Sequence, residues 1–134
     1  LELERRHPLA LHGRAGRALA ESWGVTDPVV LAAVEGHVFG VPPTHRVGMA
    51  VYVADVSEEG RGVNERIRQL ARSDLAAAYR LAVIAKVAYL QRCGKEIHPH
   101  TLRTYEVMVG QATQVAAEAH EAAHGAAPTP EDGA

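Results

Sequence analysis

The stretch AVYVADVSEEGR, residues 50–61, decides both the predicted fold and the predicted site. An apolar run, Val51–Ala54, leads directly into Asp55, and the chain then turns acidic before it reaches Arg61. A buried carboxylate without a partner is costly, because the charged form loses its hydration. An arginine, a helix N-terminus or a metal ion is therefore expected to face Asp55.

The surrounding pattern predicts a helix over this stretch. Residues 49–53 alone are compatible with a strand, but the flanking periodicity favours a helix that opens at Thr44 and ends near Asp55. Gly40, Pro42 and Pro43 predict the loop before it, since they do not continue a helix. Five further helices are predicted at residues 9–24, 26–37, 63–73, 75–94 and 101–124.

Capping residues mark the starts of three of these helices. The N-cap is predicted to be Thr26 or Asp27 in the second helix, Ser73 or Asp74 in the fifth, and Thr101 in the last. The apolar faces follow from helical spacing. They are Leu9, Leu11, Ala15, Leu19 and Trp23 in the first helix, Val29, Val30, Ala33 and Val34 in the second, and Leu75, Tyr79, Ala82, Val83, Lys86 and Leu90 in the fifth, where one lysine interrupts the stripe.

Composition indicates a single all-α domain of about six helices. The 134 residues are 47% hydrophobic but only 4% aromatic, so the core must consist mainly of Ala, Val and Leu. Residues 1–8 are predicted to be an N-terminal segment, a truncated entry to the domain at 9–124, and residues 125–134 a disordered tail. The chain does not begin with Met, which predicts that it is a piece of a longer protein.

Several classes of protein are disfavoured. A net charge of −2 gives no basic field for nucleic acid, and no apolar run is long enough for a membrane span. The single Cys93 and the absence of a signal-peptide core favour the cytoplasm. No nucleophile motif and no phosphate-binding glycine loop is present, so no catalytic residue is assigned.

Three residues form the candidate metal site. His12 follows an apolar stretch, His37 ends the second helix and Asp55 ends the third, and their imidazole and carboxylate groups are ligands typical of iron, manganese or zinc. The alternative is structural: a histidine at a helix end commonly caps carbonyl groups, and Asp55 could pair with Arg61.

The other histidines are weaker candidates. His45 is interpreted as a first-turn residue, and the pair His120 and His124 as surface residues of a fraying helix end. In the segment IHPHT, residues 97–101, the proline stiffens a turn between helices, and the flanking imidazoles form either part of that turn or a pocket wall.

Four motifs in order resemble one family. ALHG at 10–13, EGHVFGVP at 35–42, VYVADVSEEGR at 51–61 and KEIHPHTL at 95–102 are similar to motifs of the YqeK-type HD-domain hydrolases, bacterial enzymes that cleave diadenosine tetraphosphate symmetrically. The resemblance covers residues 9–108 and implies an HD-domain-like helical bundle. It also implies a divalent metal, iron in the first place, in a site for one or two ions, a nucleotide substrate and a possible homodimer.

The resemblance also assigns roles residue by residue. His12, His37 and Asp55 match metal ligands of the family, and Arg61 matches an arginine suited to a phosphate. The loop positions around the family's nucleotide pocket are matched by Gly40, Pro42, His98 and Pro99.

The chain departs from the family pattern in three places. An upstream histidine and the His-Asp pair that names the family precede its first motif and have no counterpart here. Val41 stands where a loop arginine is expected, and Val56 and Glu59 replace a tyrosine and a proline.

Three functions therefore remain open. The first is metal-dependent hydrolysis of dinucleoside polyphosphates to nucleoside diphosphates. The second is a catalytically inactive all-α binding or dimerisation module, and the third is HD-type hydrolysis of another nucleotide.

Overall fold

The chain folds into helices joined by short turns. The computed structural model describes residues 2–61 and 65–124, and within them no strand occurs, so the all-α prediction is confirmed. The helices are α1 (Glu2–Arg6), α2 (His12–Ser22), α3 (Pro28–Gly36), α4 (Arg46–Val56), α5 (Glu65–Ser73), α6 (Leu75–Arg92) and α7 (Pro99–His124), with 3₁₀ turns at Pro8–Leu11 and Glu59–Arg61. The predicted tail at 125–134 lies outside the described residues.

Two of the predicted N-caps are confirmed. The carboxylate of Asp27 accepts a hydrogen bond from the Val29 N–H at the start of α3, with Pro28 in the first helical position. The carboxylate of Asp74 accepts one from the Ala77 N–H at the start of α6.

The starts of the two other helices differ from the prediction. His45, rather than Thr44, caps α4, because its Nδ1 accepts a hydrogen bond from the Gly48 N–H at 2.9 Å. The last helix begins at Pro99, and Thr101 is a buried residue of its first turn rather than its cap.

The core lies between α4, α6 and the residues that pack on them. Tyr52 of α4 and Tyr79 of α6 are fully buried, with ring centroids 5.2 Å apart in an edge-to-face arrangement. The buried cluster around them comprises Val41, Met49, Val53, Ile67, Ala78, Ala82, Val83 and Met108.

The predicted apolar face of α2 is wrong. Leu19 is 48% and Trp23 75% exposed, and Gly13 is the buried residue of this helix. A Cβ on Gly13 would lie 2.5 Å from the Glu35 carbonyl oxygen, and one on Gly16 would lie 3.3 Å from a methyl group of Val34. Helices α2 and α3 thus approach through glycine, and this contact sets the face of α2 that points inward.

The predicted face of α3 is only partly right. Ala33 is buried as predicted, but Val29 and Val30 are exposed, and the buried Leu31 was not part of the predicted face. The close approach of α2 takes up the side of α3 near Val34 and Glu35, so the valines at the start of α3 face outward.

The loop between α3 and α4 is fixed from later parts of the chain. The Tyr79 hydroxyl donates to the Val41 carbonyl oxygen at 2.7 Å and accepts from the Val41 N–H at 2.8 Å. The Thr104 hydroxyl donates to the Phe39 carbonyl oxygen at 2.8 Å. The loop that follows His37 is therefore held on α6 and α7 by hydrogen bonds.

None of the helices in the described ranges has the length and apolar character needed to cross a membrane.

Candidate functional site

The structure brings His12 and His37 into contact. His12 is the first residue of α2, and His37 follows the last residue of α3. Their ring centroids are 4.7 Å apart, with the rings inclined at 66°. Gly13 causes this proximity, because its lack of a Cβ lets the start of α2 rest on the end of α3.

One hydrogen bond fixes the proton on His37. Its Nδ1 lies 2.5 Å from the Val34 carbonyl oxygen, which can only accept a hydrogen bond. The proton is therefore on Nδ1, and in the neutral ring Nε2 carries the lone pair that a ligand to a metal needs. The hydrogen bond to a carbonyl group agrees with the structural alternative, in which His37 caps the end of its helix. It still leaves Nε2 able to bind a metal ion.

Asp55 shares a cavity with His12. It is the last residue but one of α4 and is half-buried. The cavity has a volume of about 560 Å³, and His12, Asp55, Phe39, Lys86 and His98 are among the residues that line it. The three predicted ligands are thus neighbours, two of them in one cavity and the third in contact with the first.

This proximity does not amount to a metal cage. Among the residues for which the structure gives positions, no three His, Cys, Asp or Glu side chains form a group able to hold a metal ion. His12, His37 and Asp55 supply suitable donor types, but their arrangement in this chain does not fit a complete site.

Lys86 belongs to the cavity and was not predicted as a site residue. Its Nζ donates to the Val38 carbonyl oxygen and lies 5.1 Å from the centroid of the Tyr52 ring. The sequence did carry a signal, because Lys86 is the one charge in the otherwise apolar stripe of α6. A charged residue on a buried helix face needs partners, and here they lie at the cavity.

Tyr52 links the core to this site. It is fully buried, and its hydroxyl has no hydrogen-bond partner within the described ranges. Burial raises the pKa of the Tyr52 phenol, and the nearby Tyr79 and the negative charge of Asp55 raise it further. Burial also raises the pKa of the Tyr79 phenol, against a smaller opposite effect of its hydrogen bond with Val41.

These two phenols predict a loss of stability at alkaline pH. An unfolded tyrosine ionises near pH 10, and both folded phenols stay neutral above that value, so unfolding releases protons there. The contribution to stability is complete below about pH 10 and falls as the pH rises further. We expect part of the tyrosinate absorbance to appear only in the step that abolishes helical circular dichroism. Ionisation of all four tyrosines with the helical signal intact would contradict this.

Aromatic rings and imidazoles meet beside the cavity. The rings of Phe39 and His98 are stacked, with centroids 4.1 Å apart and planes inclined at 19°. The His100 ring contacts both of them edge-on, at 5.5 Å from Phe39 and 5.2 Å from His98. The His98 Nδ1 accepts a hydrogen bond from the His100 N–H at 3.1 Å, which places the proton of a neutral His98 ring on Nε2. His98 is thus a wall residue that also caps α7.

The other predicted pocket positions have different fates. Gly40, with φ of +105°, lines a neighbouring cavity of about 410 Å³, together with Pro42. Pro99 is the first residue of α7 rather than part of a loop. Val41 is a core residue. The side chain of Arg61 lies outside the described residues, so its predicted roles as a phosphate ligand or as the partner of Asp55 stay predictions.

The arginine that binds the C-terminal end of α4 in the structure is Arg68 of α5. Its Nη1 donates to the Ser57 carbonyl oxygen at 2.8 Å, and its Nη2 donates to a Glu65 carboxylate oxygen at 2.8 Å. The first bond satisfies a carbonyl group at the C-terminus of α4, where a positive charge is favourable.

The remaining histidines follow the structural interpretation in part. His45 caps α4. His120 lies on the exposed last part of α7, and the side chain of His124 is outside the described residues. His7 was not considered in the sequence, yet it lines the cavity and its buried Nε2 lies 3.5 Å from a Glu96 carboxylate oxygen.

The fold is similar to that of a protein of solved structure. A solved structure described as a predicted HD superfamily hydrolase involved in NAD metabolism, from Clostridium acetobutylicum, matches with a TM-score of 0.74 and 28% identity. The match covers 83% of this chain and 60% of that protein. No protein-family model and no curated protein matches the sequence. The comparison confirms an all-α fold similar to that of an HD superfamily protein, and this chain spans about 60% of the length of that protein.

Proposed function

We propose that this chain forms part of an HD-type phosphohydrolase that binds dinucleoside polyphosphates, such as diadenosine tetraphosphate, and yields nucleoside diphosphates. The observation that carries the proposal is the contact of His12 with His37 beside the cavity of Asp55. These residues match ligand positions of the YqeK-type hydrolases in type and order. The similarity to an HD superfamily hydrolase supports the same reaction class.

The cavity suits an anionic ligand. Its volume of about 560 Å³ lies within the usual range for small-molecule sites. Arg6, Lys86 and Lys95 contribute positive charge to its lining, against Asp55 and Glu96. A chain of phosphates would receive hydrogen bonds from ammonium and guanidinium groups of this kind.

The stacked pair at the wall suits the other part of a nucleotide. Phe39 and His98 line the cavity and offer a planar surface beside the proposed site for phosphates. Bases stack on such surfaces with little dependence on their identity. The proposal therefore places the phosphates towards Lys86 and a base against His98.

The proposed role of this chain alone is to bind the nucleotide rather than to hydrolyse it. In HD hydrolases a divalent metal lowers the pKa of a bound water and so provides the nucleophile. Since the donors in this chain do not fit a complete site, we assign it the binding and orientation of the nucleotide. Hydrolysis by these 134 residues alone is expected to be slow or absent.

A second candidate is a nucleotide-binding module without hydrolytic activity. It is favoured by the burial of Val41, which is 7% exposed where the family has a loop arginine for phosphate. A core valine offers no hydrogen bond to an anion. The two candidates share the binding step and differ in turnover.

Calorimetric titration of ADP and of diadenosine tetraphosphate into the protein tests the proposal. We expect binding of both, weakened about tenfold in His98→Ala, because a stacking contact is worth about 1–3 kcal/mol. His120→Ala, on the exposed part of α7, is the matched control and should bind as the wild type does. Equal affinities of all three proteins, or no binding, would overturn the proposal.

Chromatographic analysis of the same mixtures separates the two candidates. Release of ADP from diadenosine tetraphosphate, abolished by a chelator, would support the hydrolase and would contradict the expectation of slow turnover. Binding without release of ADP even after addition of Mn²⁺ would support the module.

A further inference from the structure

A lysine lines the same cavity as two of the predicted metal ligands. Lys86 reaches the cavity from α6 and shares it with His12 and Asp55. No motif of the sequence assigned a function to this residue, and its position in the stripe of α6 suggested only a break in the apolar face.

Two contacts locate its ammonium group. One is the hydrogen bond from Nζ to the carbonyl oxygen of Val38, the residue directly after His37. The other is the face of the Tyr52 ring, with 5.1 Å between Nζ and the centroid. Tyr52 lies one turn before Asp55 on α4, and the Asp55 charge acts on its phenol. The ammonium thus lies between the segments that carry two of the predicted ligands.

Both contacts favour the charged form of the lysine. A carbonyl oxygen accepts a hydrogen bond from an ammonium group, and the face of an aromatic ring attracts a cation within about 6 Å. A half-buried Asp55 carboxylate in the same cavity adds a negative charge. The groups around Lys86 therefore resemble the environment of a bound cation.

We infer that the ammonium of Lys86 is the resident cation of this cavity and that it opposes binding of a divalent metal ion by the incomplete donor set of His12, His37 and Asp55. Two positive charges at one small site repel each other, and a divalent ion would have to displace the lysine from its carbonyl and ring partners. The question that Asp55 raises in the sequence then has an answer, because the cation that accompanies it in the cavity belongs to the protein.

Removal of the charge should raise the weak affinity of these donors for a metal ion, because the repulsion between the two cations is then lost. Lys86→Met keeps the apolar stem of the side chain and removes the ammonium group. In calorimetric titration with Mn²⁺ we expect weak or undetectable binding by the wild type and at least tenfold tighter binding by Lys86→Met. The gain should vanish in the double variant Lys86→Met/Asp55→Asn, because the carboxylate is then lost.

Matched variants control for charge and for folding. Lys95→Met removes an exposed lysine from the lining of the same cavity, and it should bind Mn²⁺ no better than the wild type. Lys86→Arg keeps the charge and should also stay weak. If Lys86→Met does not fold, Lys86→Gln serves in its place, with circular dichroism as the check.

The titration with Mn²⁺ tests the inference about Lys86 without any measurement of hydrolysis. Tight binding of Mn²⁺ by the wild-type chain would overturn the inference, and so would the absence of any gain in the neutral Lys86 variants. Nucleotide affinity is measured separately and without metal, so failure of this inference leaves the proposed nucleotide site standing, and the reverse holds as well.

Discussion

Arginine at position 41 should destabilise the protein more than any other change considered, although the motif of the YqeK-type hydrolases that this loop resembles has an arginine there. Val41 is 7% exposed, and its methyl groups lie so close to Gly36 and Gly48 that a Cβ on either glycine would approach them to 2.3 and 2.7 Å. On the side of Gly36 and Gly48 there is no space for a guanidinium group, which would be buried there without a partner. The cost should exceed about 4 kcal/mol, a large part of the stability of a small domain.

Urea denaturation followed by circular dichroism measures this effect. The matched control is Val47→Arg, the same change at a valine that is 46% exposed on the neighbouring α4. Its free energy of unfolding should stay within about 0.5 kcal/mol of the wild type. Equal midpoints for the two variants would mean that the loop can turn position 41 out of the core.

Tyr79→Phe should be the second most damaging change, because one hydroxyl satisfies two backbone groups. The phenylalanine keeps the buried ring but leaves both the N–H and the carbonyl group of Val41 without their partner. An unsatisfied buried polar group costs about 1–3 kcal/mol. We expect a loss of about 2–5 kcal/mol in the free energy of unfolding, on the same scale.

The control for this change lies on the same helix. Tyr89 is 52% exposed on α6, so Tyr89→Phe should leave the unfolding midpoint almost unchanged. Hydrogen exchange adds a local readout, since the Val41 amide should exchange faster in Tyr79→Phe than in the control. The same midpoint in both variants would show that another group or water replaces the lost hydroxyl.

The sequence was sufficient for the six longer helices and their order, although not for the short α1. Short-range chemistry fixes these features: the carboxylates of Asp27 and Asp74 each bond an amide two or three residues away, so the caps can be read without tertiary information. The predictions of the buried faces of α2 and α3 were wrong in part, because these helices contact each other through glycine rather than through larger side chains. Helical periodicity cannot show that Gly13 rests on the carbonyl group of Glu35.

The candidate site could be predicted as a set of residues but not as a geometry. The types and order of His12, His37 and Asp55 were sufficient to select them. The contact of His12 with His37, and the cavity that His12 shares with Asp55, depend on tertiary packing such as the approach of α2 to α3. Lys86 could be recognised as the one charged residue in the apolar stripe of α6. Its partners could not be predicted, because Val38 lies 48 residues away and Tyr52 lies on another helix.

The residues of the cavity region are also synthesised at different times. The contact between His12 and His37 involves only α2 and the residue after α3. The hydrogen bond to the Val38 carbonyl oxygen, in contrast, comes from a lysine 48 positions later in the chain. At about 5–20 residues per second, a ribosome needs roughly 2–10 seconds to cover that distance. During this interval the nascent chain contains both imidazoles but not yet Lys86. The opposition to metal binding that we infer would then be acquired only as synthesis of the chain proceeds.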